Sequence, residues 1–451
     1  MFDRFLRLTE SAPGATAVIE TDSHRLVTRE ALLARANELA NELAASGLQA
    51  RDLVAVQLPN SAEFVAAILA ASKLDLVIIP IDRDATPAEV ATILGHFEVR
   101  SLVYRGSGSP THRTGQRTRP ALPPDARLIK LTSGSTGLPK GIVTSDANLL
   151  ADCTSICASM DIRPGDVNFG AIPMSHSYGF SNLVMPLVVQ GTPVVISNQY
   201  LPQSVIDLCN RYECTVAPLI PMVFEHLSNL PHDDGTFTTA RTFLSAGAPL
   251  PPATSRRFRE RFGQPVHSFY GCSECGGITY DRRGAAVERG SVGTAMEHVE
   301  LSIDSARLIV RSDSVALGYL HDVSTFHPFE PRTFVTDDIA EIVDEEVVLT
   351  GRVSDLINTA GKKVNPREVE QIILQMDGVR QVKVYGAPAG ARGDVVAAAV
   401  VGSPDITREQ VRMHCAARLS AHKVPRIVKL IEQLPVDERG KVKRAALAQL
   451  P

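Results

Sequence analysis

The chain predicts an α/β fold: a large, multi-lobed N-terminal α/β domain of layered sheets and helices, followed by a small C-terminal α/β domain. Length is the first reason, because 451 residues exceed what one hydrophobic core organises, and 44% hydrophobic content supplies more than one. Alternation is the second. Short apolar runs and amphipathic helical patterns follow one another to about residue 349, as repeated βα units do. The third is a change of texture near Ser354, after which short strands and capped helices crowd together. The domains expected are 1–353 and 354–451.

Taken in order, Thr28 is placed to cap a helix whose Leu32, Ala36, Leu39 and Leu43 share one face, and Gly47 to close it. A strand over 53–58, a helix over 62–72, a strand over 76–79, a helix opening at Thr86 and Pro87 and a strand over 101–104 continue the alternation. Residues 105–124 are polar and proline-rich without periodicity, which reads as exposed loop. Apolar runs at 128–131, 141–144, 193–196 and 215–217 read as strands, and 204–211 as a helix. In the smaller domain Asn365 caps a helix with Pro366 at its first position, 381–385 and 395–401 read as strands, and Thr407 opens another helix.

Two of those strands flank the sequence LTSGSTGLPKG at 131–141. Gly134, Gly137 and Gly141 let the backbone approach an anion, the hydroxyls of Thr132, Ser133, Ser135 and Thr136 donate to phosphate oxygens, and Lys140 adds a fixed positive charge. A nucleoside triphosphate is the guest these groups suit. The Walker A loop has different spacing, since there lysine follows glycine directly and a hydroxyl residue follows lysine, whereas here Pro139 precedes Lys140 and Gly141 follows it. The strand–loop–strand context differs too, because no helix N-terminus faces the phosphates. A flexible surface turn is the alternative reading of the same composition.

A formal charge of −4 gives no overall electrostatic reason to bind nucleic acid or an anionic membrane. The N-terminus lacks an uninterrupted apolar stretch, and the greasiest run, 64–81, is broken by Lys73, Asp75 and Pro80, so neither export nor a membrane span is expected. Seven cysteines in no framework spacing point to reduced thiols and a cytoplasmic setting. Cys272 and Cys275 have C-x-x-C spacing, but no second pair completes a zinc site, and buried thiols are the simpler reading.

Further segments stand in a fixed order around the loop: PMSHSYG at 173–179, YGCSE at 270–274, TDD at 336–338 with GRVSDLIN at 351–358 and GKKVNPREVE at 361–370, and PVDERGKVKR at 435–444. In order and spacing these resemble the adenylate-forming superfamily of acyl-CoA synthetases, adenylation domains and luciferases, and the likeness runs over nearly the whole chain. The resemblance implies ATP and Mg²⁺ as cofactors and a C-terminal domain that is mobile. It implies that Lys441 stabilises the transition state of adenylation, that Glu274 is the Mg²⁺ carboxylate, and that Tyr270, Gly271, Cys272 and Ser273 border the nucleotide, with Ser273 where the family usually has threonine. Gly247, Ala248 and Pro249 resemble the loop beside adenine, and Asp338 and Arg352 match the ribose-binding pair. Asp337 stands where the family commonly has glycine, which leaves the register between Asp337 and Asp338 open. His176 matches the residue that gates the carboxylate, with Ser177, Tyr178, Phe180 and Ser181 expected beside the acyl group. Ser354 falls at the family's hinge, where aspartate or lysine is usual.

The activity this implies is that of an acid–thiol ligase: acid and ATP give acyl-AMP and pyrophosphate, and the acyl group then passes to coenzyme A. No aspartate lies in 175–186 to hold an α-amino group, so a plain carboxylic acid is expected. Phe180, Leu183, Val184, Met185, Leu219, Met222 and Val223 are apolar candidates for its pocket, and the absence of tryptophan leans toward an aliphatic acyl group. An acyl carrier protein is the alternative acceptor. A catalytically silent nucleotide-binding protein, and a phosphotransferase that would release ADP, are readings from other classes.

Overall fold

The computed structural model describes residues 1–104, 111–112, 120–133, 139–198, 201–231, 235–359, 362–388, 394–435, 442 and 446–447. It is a mixed α/β structure whose contacts divide into two units, one of residues 1–301 and 310–334, the other of 302–309 and 335–451. Residue 354, where the second domain is expected to begin, lies within the second unit.

The first unit contains two large sheets. One has eight strands in the order Thr325–Pro328, Gly318–Asp322, Pro139–Ser145, Ala126–Ser133, Val77–Pro80, Leu53–Gln57, Ser101–Tyr104 and Thr111–His112. Its inner strands pair in parallel, because the helices Ala62–Lys73 and Pro87–His96 carry the chain back to the same end each time. The other sheet runs Thr294–Ala295, Gly276–Tyr280, Val266–Cys272, Thr242–Ser245, Val216–Leu219, Asn168–Gly170, Val194–Ile196, Thr16–Glu20 and Arg25–Thr28, parallel through its centre.

Helix Ala62–Lys73 explains how the two sheets stack. Its sequence AEFVAAILAASK is apolar on every side, and Ala62 and each residue from Phe64 to Ala71 are buried. It shares one core with Val54, Val56 and Ile78 of the first sheet and with Val18, Val194 and Ile196 of the second. A helix without a polar face is stable only between layers. Helix ends follow the sequence signals: the Ala31 N–H donates to Thr28 Oγ1 at 3.2 Å, and Thr86 and Glu89 form a reciprocal capping box with Pro87 in the first turn.

Strand Glu346–Arg352 and all but the first two residues of Thr333–Val343 belong to the second unit, where they pair as an antiparallel ribbon, and residues 302–309, which span parts of the neighbouring strands Glu300–Asp304 and Arg307–Arg311, group with them. Beyond the ribbon come the hairpin Ile357–Thr359 with Lys362–Val364 and a three-stranded sheet of Val379–Pro388, Asp394–Gly402 and Ile427–Leu430. Helices Pro366–Ile373, capped by Asn365, and Arg408–Ala416, capped by Thr407, close its core through Val369, Ile373, Val411 and Cys415. Among the described residues no helix is long and apolar enough to cross a membrane.

Candidate active site

The glycine-rich segment joins two antiparallel strands, Ala126–Ser133 and Pro139–Ser145, with Thr132 opposite Lys140 and Ser133 opposite Pro139. The strand–loop–strand context expected from sequence is therefore present. Gly134, Ser135, Thr136 and Gly137 lie outside the described residues, as does the side chain of Ser133. Thr132 Oγ1 donates to the Lys140 carbonyl at 3.4 Å. At Gly141 a Cβ would stand 2.6 Å from Ile129 Cγ2, so glycine is what lets this strand lie flat while Gly318–Asp322 pairs on its other side with Leu320 opposite Gly141.

From Lys140 a path of side-chain contacts, joined at two points by neighbouring residues of the chain, leads to His176 within the first unit. Lys140 Nζ sits 3.5 Å from the centre of the Tyr319 ring, and the Tyr319 hydroxyl donates to Glu274 Oε1 at 2.9 Å. Next to Glu274, Ser273 Oγ and Ser177 Oγ are 2.7 Å apart. Beside Ser177, His176 Nε2 donates to Asp82 Oδ2 at 2.7 Å, which orients the imidazole. Burial, and then the negative charge of Glu274, push the Tyr319 phenol well above its ordinary range, so it stays a neutral donor. The glycine-loop lysine, the candidate Mg²⁺ carboxylate and the candidate gating histidine, far apart in sequence, thus belong to one connected surface.

The turn carrying Glu274 is anchored from behind by a buried carboxylate. Asp152, 3% exposed, accepts from the Gly277 N–H at 2.9 Å and from Ser181 Oγ at 2.6 Å. Gly276 has φ +70°, and a Cβ there would meet Asp152 Oδ1 at 2.2 Å, so the turn requires glycine on both counts. Cys272 Sγ and Cys275 Sγ approach to 3.1 Å, and the Cys275 contact together with burial holds the Cys272 thiol well above its usual range. Among the described residues no three His, Cys, Asp or Glu side chains gather as a metal site.

Tyr270 and Gly271 lie toward the end of strand Val266–Cys272, and Gly247, Ala248 and Pro249 follow the end of its parallel neighbour Thr242–Ser245, with Ser245 opposite Ser268. Both loops therefore leave the carboxyl ends of adjacent parallel strands, where α/β sheets form ligand crevices. Gly247, at φ +86°, is exposed, and Tyr270 is half-buried. Tyr178 bridges the same strand ends, donating to the carbonyls of Leu219 at 3.3 Å and Leu244 at 3.2 Å. Phe180, Leu183, Val184 and Met185 are packed in the main core, Leu219 and Val223 in the second core, and Met222 is exposed.

In the second unit Arg352 Nε donates to Asp338 Oδ1 at 2.7 Å across the ribbon, where the two residues are directly paired. Asp338 is 6% exposed, whereas Asp337 points outward and accepts from the Ser354 N–H at 3.3 Å and from the Ser354 hydroxyl. Gly361 and Lys441 lie outside the described residues. Tyr319, Asp152 and Asp82 are the site residues that motif reading misses. Asp152 does carry a signal, since it lies on the helical stripe of Leu149, Cys153 and Ile156.

Residues 5–320 match the model of the AMP-binding enzyme family, and residues 368–441 that of the AMP-binding enzyme C-terminal domain. A long-chain-fatty-acid–CoA ligase, FadD13, of Mycobacterium tuberculosis is 25% identical, over 97% of this chain and 96% of the relative. A sulfoacetate–CoA ligase of Cupriavidus necator is 27% identical over 96% and 94%, and a 2-succinylbenzoate–CoA ligase of Listeria monocytogenes is 27% identical over 94% of each. Among solved structures, ATP-bound MatB from Rhodopseudomonas palustris superposes with a TM-score of 0.83 at 25% identity over 100% of this chain and 99% of that one. The acyl-adenylate complex of the o-succinylbenzoate CoA synthetase MenE of Bacillus subtilis has a similar fold, with a TM-score of 0.82 at 23% identity over 99% and 98% of the two chains. The glycine-rich hairpin, the carboxylate turn and a family match over most of the chain lead to one conclusion: this chain is an enzyme and belongs to the AMP-binding enzyme family.

Proposed function

We propose that the enzyme is an AMP-forming acid–thiol ligase acting on a carboxylic acid, ATP and coenzyme A. The carboxylate attacks the α-phosphorus of ATP and pyrophosphate leaves; the thiol then attacks the acyl carbonyl and AMP leaves. The observation that carries the reading is the contact path from Lys140 through Tyr319 to Glu274, because a cation and a carboxylate held on either side of one tyrosine, the cation on a strand next to the glycine-rich segment, suit a metal–triphosphate. Curated relatives similar along almost the whole chain are CoA ligases by name, which supports the reaction class. Their acids differ in size and charge, so the acid is not carried over.

In this reading Lys140 and the loop hydroxyls of Thr132, Ser133, Ser135 and Thr136 hold the leaving phosphates. Lys441 offsets the repulsion between the carboxylate and the α-phosphate. Asp338 and Arg352 hold the ribose, Gly247 to Pro249 and Tyr270 border adenine, and His176, oriented by Asp82, faces the incoming acid. A single carboxylate, Glu274, with one oxygen already held by Tyr319, fits Mg²⁺, a cation that takes few protein ligands and completes its shell with phosphate oxygens and water. Bound there, Mg²⁺ would neutralise phosphate charge. Ser354 is the proposed hinge of the C-terminal segment.

Acid-dependent exchange of labelled pyrophosphate into ATP, screened over carboxylic acids, is the direct test. Exchange with at least one acid is expected. ADP as product would point to phosphotransfer, and no exchange with any acid to a silent nucleotide binder. Comparing free coenzyme A with carrier-protein phosphopantetheine as acceptor separates the two ligase readings.

A further inference from the structure

Lys140 and Glu274 carry opposite charges in one partly buried site, an arrangement that favours a direct ion pair. Such a pair would occupy the groups that a metal–nucleotide needs. Tyr319 stands between them instead: its ring face receives the ammonium, with Nζ 3.5 Å from the ring centre, and its hydroxyl donates to Glu274 at 2.9 Å. A ring face restrains an ammonium without neutralising it, since the quadrupole attracts the cation but accepts no proton and carries no net charge. One phenolic hydrogen bond likewise holds a single carboxylate oxygen and leaves the carboxylate ionised.

The backbone fixes the spacer on both sides. The Ala316 N–H donates to the Glu274 carbonyl at 2.8 Å, and the Leu317 N–H to the Val143 carbonyl at 2.8 Å, so the segment before Tyr319 is tied both to the carboxylate turn and to the strand that carries Lys140. Tyr319 then pairs opposite Ile142, and the Phe329 ring packs edge-on against it at 4.7 Å. Its orientation is therefore set by strand register and by aromatic packing as well as by its two charged neighbours.

We propose that Tyr319 is a positioning residue that keeps Lys140 and Glu274 apart and aimed, so that both remain available to the metal–nucleotide during adenylation. This rests on the ligase reading above. Tyr319→Phe keeps the ring face and removes only the hydroxyl, so the apparent Mg²⁺ requirement should rise by about tenfold, the scale on which partners behind a metal ligand act, while KM for ATP at saturating Mg²⁺ stays near its original value. Tyr319→Leu removes both restraints, and adenylation should fall by about a hundredfold with a raised KM for ATP. Thioester formation from supplied acyl-adenylate should be unchanged in both variants, because neither charged group is needed once pyrophosphate has left.

A binding measurement stands beside the rates. Mn²⁺ titrated with a non-hydrolysable ATP analogue, followed by the paramagnetic signal of free Mn²⁺, should show weaker metal binding in Tyr319→Phe, and Tyr319→Leu should lose affinity for the analogue as well. Equal loss in both half-reactions, or unaltered metal and nucleotide binding in both variants, overturns the proposal. Should Tyr319→Leu fail to fold, Tyr319→Phe alone carries the test. The Mn²⁺ titration needs no acid, so a wild-type enzyme without pyrophosphate exchange would refute the ligase reading while the metal response still judges Tyr319.

Discussion

Asp152 illustrates how much of this site depends on side chains that never meet a substrate. Its two oxygens accept from the Gly277 N–H and the Ser181 hydroxyl, joining the turn of Glu274 to the segment that follows His176. Asp152→Ala would leave two buried donors without an acceptor, at about 1–3 kcal/mol each, a loss measurable by urea denaturation, together with a higher Mg²⁺ requirement. Asp152→Asn keeps one acceptor and should lose less. Lys140, Glu274 and His176 are legible as sequence motifs, because their chemistry is written in their neighbours. Tyr319 is not, since its role arises from the pairing of Leu320 with Gly141 across distant segments. Asp82 escapes for a similar reason: the sequence places it just beyond a strand, and only the stacking of the two sheets brings His176 to it.

Among elements, the hairpin Ala126–Ser133 and Pro139–Ser145 couples stability most directly to the proposed chemistry. A methyl group at Gly141 would press on Ile129, a β-branched residue with little rotamer freedom, one position from Lys140. Gly141→Ala should therefore cost about 1–3 kcal/mol and also raise KM for ATP, checked by denaturation and by initial rates. Helices with strong end signals, such as those begun by Thr28, Thr86, Asn365 and Thr407, are legible because a cap is a local device. The stretch after His176 is not. Its backbone runs through a short helical turn, then a π-helical segment at Phe180–Val184, then Met185–Gln190, and residue type hardly distinguishes α from π winding. That winding belongs to the same stretch in which Phe180 is packed in the core and Ser181 reaches Asp152.

For the whole molecule, the ligase reading divides labour between the two half-reactions. Lys441→Ala should lower adenylation by about two to three powers of ten while thioester formation from supplied acyl-adenylate persists, as single-turnover rates would resolve. Ser354→Pro removes the N–H that Asp337 accepts and should disturb both half-reactions; unchanged rates in both would end the hinge assignment. The α/β class and the presence of a smaller C-terminal portion are readable from alternation and length. The compact division is not, because residues 302–309 group with 335–451, and such a grouping depends on sheet pairing that no local pattern encodes.

Asp337 and Ser354 are bonded to one another, the Ser354 N–H and hydroxyl both donating to the Asp337 carboxylate. Anyone building a chimera by grafting a relative's C-terminal segment at residue 354 would separate these two partners. A donor bringing aspartate would set two carboxylates face to face, and one bringing lysine would create a salt link that this chain lacks. The seam should lie upstream of residue 337, so that both members of the pair travel in the same graft.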